Sequence, residues 1–153
     1  MPGNPTGTST PTATSSPTTT PTSAETPTPN LVISEFLANP AAVADSDGEW
    51  IEIHNLGPDP ANLQGWTLAD EGTDRHVIVA DLPVTPGAYV ILARNGDPAA
   101  NGGVSPDYVI GGGLQLANIA DELLLLAPDG TLIQRVAWGC LLYTSPSPRD
   151  RTR

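Results

Sequence analysis

Asp45, Asp47 and Glu49 are the residues of this chain that come nearest to chemistry: three carboxylates at alternate positions, with Gly48 before the last. Hard oxygen ligands spaced this way beside a glycine turn are what a calcium loop supplies. A helix–loop–helix calcium site also needs another Asp or Asn before its glycine and a closing Glu. Here the closing position holds His54. The plainer reading is an Asp-Gly turn leading into a strand. Asp45, Asp47 and Glu49 therefore stand as calcium candidates, and no cofactor and no catalytic residue is expected.

Nucleophilic catalysis lacks a cast. Between residues 31 and 139 the serines are Ser34, Ser46 and Ser105, none set in a nucleophile elbow. His54 and His76 fall on separate expected strands and make no zinc spacing. Gly111-Gly112-Gly113 is followed neither by Lys nor by a helical pattern, which leaves a phosphate loop unsupported. Glycoside hydrolysis needs a paired acid and base, and nothing singles out a pair among the acids.

The elements that would position these residues read as strands. Leu31–Leu37, Trp50–Asn55, Leu63–Ala69, Arg75–Ala80, Ala88–Ala93, Tyr108–Ile110, Leu114–Leu116, Glu122–Ala127 and Thr131–Trp138 are short apolar or alternating runs between Gly, Pro, Asn and Asp. Pro128-Asp129-Gly130 is a hairpin signal. Asn95–Asp107, rich in Gly, Asn and Pro, is expected to be mobile. About eight short, mostly antiparallel strands without helical periodicity predict an all-β sandwich. Alternation points Ile51 and Ile53 into the core, sets Trp50 under a loop and leaves His54 at or near the surface. Glu49, Glu52 and Asn55 are expected to hydrogen-bond backbone groups of neighbouring loops. Gly65 suits a kink that lets Trp66 cover the sheet end.

Several blocks in order resemble the lamin tail domain. They are Ile33-Ser34-Glu35-Phe36 with Asn39-Pro40, Glu49-Trp50-Ile51-Glu52-Ile53-His54-Asn55, and Leu63, Gly65, Trp66, Leu68 and Asp70. Pro86-Gly87 with Tyr89-Val90 follows, then Leu114, Leu116, Asn118 and Asp121, and a closing hairpin through Asp129-Gly130 to Val136-Ala137-Trp138-Gly139. The resemblance implies an immunoglobulin-like β-sandwich over residues 31–139. It further implies a module like those of nuclear intermediate-filament tails and of bacterial secreted and surface proteins, where such domains accompany nucleases and phosphoesterases. It places Trp50, Trp66 and Trp138 in the core rather than on a sugar platform.

Composition frames the domain. Residues 1–30 hold eleven Thr, seven Pro and four Ser, with Glu25 as their sole charge and no Leu, Ile, Val or aromatic residue. Such a segment cannot offset its chain entropy by burial, so it reads as a disordered, extended Thr/Pro linker. Residues 31–139 carry fifteen Asp and Glu against Arg75, Arg94 and Arg135, with no Lys and no cysteine. This acidity disfavours phosphate backbones and anionic membranes. Residues 140–153 turn basic and Pro/Ser-rich, resemble a translated sequencing adapter and are expected to be disordered. No signal peptide and no membrane-length apolar run is visible.

The expected function is that of a non-catalytic extracellular or cell-surface module. It would bind a protein or cell-surface polymer, without nucleic acid or membrane insertion, beside a neighbouring domain. The alternatives are a nucleic-acid-associated domain, by analogy with nuclear relatives, or a fragment of a secreted nuclease or phosphoesterase.

Overall fold

A computed structural model describes residues 29–139, together with Met1 and Gly3. The expected linker, but for Met1, Gly3, Pro29 and Asn30, and the expected basic tail lie outside the described residues. The chain runs β1 (Leu31–Leu37), α1 (Asp45–Gly48), β2 (Trp50–Asn55), β3 (Ala61–Asn62), β4 (Thr67–Ala69), β5 (Arg75–Val77), β6 (Pro83–Val84), β7 (Tyr89–Ala93), β8 (Tyr108–Val109), β9 (Ala120–Leu126) and β10 (Leu132–Gly139). Two four-stranded sheets form the sandwich, ordered β1-β2-β7-β8 and β10-β9-β4-β5, with β3 and β6 paired as a small third sheet. Every pairing is antiparallel except β7 with β8. No helix among the described residues is long and apolar enough to cross a membrane.

Alternation builds the core. Along β2, Ile51, Ile53 and Asn55 are buried while Trp50, Glu52 and His54 are half-buried on the opposite face. Leu31 and Ile33 of β1 and Val90 and Leu92 of β7 join them from one sheet, and Leu68, Leu123 and Leu125 from the other. A central strand flanked on both sides has little exposed surface, and all of Thr67, Leu68 and Ala69 in β4 are buried.

The expected third strand breaks at Gly65. The glycine sits at φ +83°, a conformation costly for any residue with a Cβ, and its N–H donates to Ile78 O. Ladder pairing then starts only at Thr67, after Trp66 has turned into the core at 2% exposure. The fourth expected strand stops at Val77. Among the described residues ten strands replace about eight, because two-residue pieces at Ala61–Asn62 and Pro83–Val84 pair with each other. Pro83 is tolerated there because a two-stranded sheet consists only of edges. Leu114–Leu116 forms no strand. Gly111–Gly113 makes a single 3-10 turn, after which Leu114 and Leu116 enter the core from a loop.

The hairpin at Pro128-Asp129-Gly130 forms, with Gly130 at φ +87° and Asp129 Oδ1 accepting from Thr131 N–H at 2.8 Å. That bond holds the Asp129 carboxyl below its ordinary pKa. The excursion expected to move is cross-tied around buried Asn101. Its Nδ2 donates to Asn95 O and Val104 O, and its Oδ1 accepts from the N–H groups of Gly103 and Val104.

Candidate functional site

Asp45, Asp47 and Glu49 sit at one end of the sandwich, on the turn that precedes β2. Gly48 N–H donates to Ala44 O and Glu49 N–H to Asp45 O, so the segment closes as one helical turn rather than an open Asp-Gly turn. The turn is pressed inward at Gly48. A Cβ there would collide with Val43 Cγ2 and would meet Pro40 Cβ at 2.6 Å.

The three carboxylates reach three different partners. Asp45 Oδ2 accepts from Asn118 Nδ2 at 2.8 Å, on the loop before β9. Asp47 Oδ1 accepts from Asn95 Nδ2 at 2.8 Å, on the loop after β7. Glu49, 1% exposed, points inward, and its Oε2 accepts from Arg94 Nη1 at 3.2 Å and Leu116 N–H at 3.1 Å. Among the described residues no three His, Cys, Asp or Glu side chains gather so that they could hold a metal ion. Calcium up to millimolar concentration is therefore expected to leave the melting temperature unchanged. A saturable rise, abolished by Asp45→Asn with Asp47→Asn, would make this turn a ligand cage.

What the arrangement does is tie three loops together. Burial pushes the Glu49 carboxyl above its ordinary pKa, against the opposing pull of the Leu116 N–H bond and the Arg94 charge. Glu49 Oε1 and Arg94 Nε are buried without a hydrogen-bond partner among the described residues. Both residues line a cavity of about 10 Å³ with Trp50, Ile51, Ile110, Leu114 and Leu116. A space that small has no room for a substrate. Trp50 is half-buried and lines this cavity.

The structure does not assemble the other chemical candidates. His54 belongs to β2 in one sheet and His76 to β5 in the other. His76 Nε2 lies 3.0 Å from Tyr108 Oη, and burial lowers its pKa. Ser34 Oγ donates to Glu52 Oε1 at 2.6 Å, a carboxylate rather than an imidazole. Against expectation, the Glu52 carboxylate thus bonds a side chain on the neighbouring strand and no loop backbone among the described residues, whereas Asn55 serves loops as expected. Asn55 Nδ2 donates to Asp59 O and Val84 O, and its Oδ1 accepts from Gly57 N–H. Trp138 is half-buried, with Nε1 donating to Ala117 O at 2.9 Å.

Sequence reasoning missed Arg94, Asn95, Leu116 and Asn118 as members of this end. The signal was present only as a complement: a buried Glu before a strand requires a cation or N–H donors.

No curated protein matches the chain. The model of the Lamin Tail Domain family matches residues 24–140, which is most of the chain and includes the whole of both sheets, and that family is immunoglobulin-like. The chain belongs to the lamin tail domain family.

Proposed function

We propose that this domain is a non-catalytic interaction module, displayed outside the cell on its Thr/Pro-rich segment and accessory to a neighbouring domain. Its partner is a protein or a surface polymer met by the loops at the α1 end. The observation that carries the reading is the use made of polar groups there. Asp45, Asp47 and Glu49 each bind a donor on another loop, so their chemistry goes into holding a fixed surface. Preorganised loops on a rigid sandwich are suited to recognition, because little ordering entropy remains to be lost on binding. Ile119, 83% exposed beside Asn118, offers that surface an apolar contact.

The purified protein is expected to be inert toward esters, phosphodiesters, glycosides and peptides. No nucleophile, base and orienting group stand together among the described residues. It is also expected not to bind duplex DNA at physiological salt, since fifteen acids against three arginines in residues 31–139 leave little positive surface to displace counterions. Turnover that survives repurification and is lost with one point substitution would refute the module reading. Salt-sensitive DNA binding tighter than about micromolar would favour a nucleic-acid-associated domain instead.

A further inference from the structure

The outer face of the β1-β2-β7 sheet carries a second, separate feature. Register places Val32, His54 and Tyr89 in one row across the three strands, and Glu35, Glu52 and Ile91 in the next. The His54 and Tyr89 rings are stacked, with centroids 3.9 Å apart and planes 12° from parallel, and Tyr89 remains 54% exposed. Glu35 and Glu52 face each other directly across the ladder. Like charges at such a position destabilise the sheet. The bulge between Ile33 and Glu35 turns Ser34 toward Glu52, and its hydroxyl is a neutral donor that leaves both charges in place.

None of the three arginines of residues 31–139 lies on this face. Arg94 pairs with Glu49, Arg135 pairs with Glu71, and Arg75 Nη2 lies 3.4 Å from Thr67 Oγ1 in the other sheet. Among the described residues, neither Glu35 nor Glu52 meets a cation. A stacked pair whose Tyr89 ring is exposed, one row from two opposed carboxylates, complements one kind of group: a planar cation that can lie against an aromatic ring while it donates to both acids.

We propose that this face docks an arginine-bearing segment of a partner protein, with a guanidinium seated between Tyr89 and the Glu35–Glu52 pair. The proposal rests on the reading of the domain as an interaction module, but uses a sheet face rather than the α1 loop end. The like-charge pair is then a stability cost held in the free protein and offset on binding.

The test uses the full chain and an eight-residue peptide alternating arginine with threonine, with lysine and citrulline copies as comparisons. Amide shift changes in the protein's NMR spectrum are expected at Val32, Glu35, Glu52, His54, Tyr89 and Ile91. Tyr89→Ala and Glu52→Gln should each weaken binding by roughly five- to tenfold, and the neutral citrulline copy by more than tenfold. Lysine should bind more weakly than arginine. Glu35→Gln should weaken binding while raising the melting temperature of the free protein, an outcome a purely structural carboxylate would not give. Asp129→Asn, on a turn of the other sheet, should leave peptide binding unchanged.

Equal losses for Glu52→Gln and Asp129→Asn would mean diffuse charge attraction and overturn the proposal. Equal affinity of the citrulline copy, or the same shifts from calcium, from a neutral polysaccharide or from self-association, would also overturn it. Shifts confined to the loops around Asp45, Asn95 and Asn118 would overturn it too, yet leave the interaction-module reading standing.

Discussion

Trp66→Ala is expected to lower stability by about 3–5 kcal/mol, the range for removing a fully buried indole whose cavity cannot collapse. Trp66 is 2% exposed and belongs to the core cluster with Leu63, Leu68, Ile78 and Leu125. Its backbone is fixed from both sides, since Trp66 N–H donates to Leu63 O and Ile78 N–H donates to Trp66 O. Rigid neighbours leave most of the vacated volume open. His54→Ala should cost far less, about 0.5–1.5 kcal/mol, because it removes one ring of a surface stack and little buried area. Urea unfolding midpoints of the two variants, at unchanged slope, check this contrast. Equal losses would mean that the inward placing of Trp66 or the outward placing of His54 on β2 is wrong.

The contrast also shows why the fold was more legible than the site. Strand alternation acts over neighbouring residues, so Ile51 and Ile53 could be placed inward and His54 outward from the order of residue types alone. Gly65 announced its kink for an equally local reason, since positive φ selects glycine. The short β3–β6 pair had no such signal. Two residues of Ala-Asn and two of Pro-Val carry no periodicity, and they become strands only because the chain brings them together.

The same limit applies at the α1 end. Sequence singled out Asp45, Asp47 and Glu49 as calcium candidates, but could not say what they meet. Asn118 lies 73 residues from Asp45, Asn95 lies 48 from Asp47, and Leu116 lies 67 from Glu49. Pairing at such distances is fixed by the sandwich topology and not by spacing. Asn101 is a further case. A Gly/Asn-rich run reads as a mobile loop by composition, whereas one buried amide making four bonds gives this loop a fixed shape.

Glu49→Ala is expected to cost about 3–5 kcal/mol, because it removes one half of a buried ion pair and leaves Arg94, whose side chain is 14% exposed, facing an apolar pocket. Leu116 N–H loses its acceptor at the same time, which frees the loop that carries Leu114 and Leu116 into the core. Glu49→Gln keeps an oxygen for Leu116 and should lose less. The pH dependence separates charge from hydrogen bonding. Burial raises the Glu49 pKa in the folded state above its unfolded value, so the folded protein holds this proton more tightly. The stability contributed by that protonation is fully present below the unfolded pKa and is lost as pH rises through the raised folded value. The charged pair therefore fixes loop geometry without fully offsetting its own desolvation. Glutamine does not titrate. The stability lost on Glu49→Gln should accordingly be larger at acid pH than at neutral pH, as measured by denaturant unfolding across that window. A loss that instead grows with rising pH would mean that Arg94 lowers the Glu49 pKa more than burial raises it. The buried pair would then be a source of stability rather than a clamp on the loops.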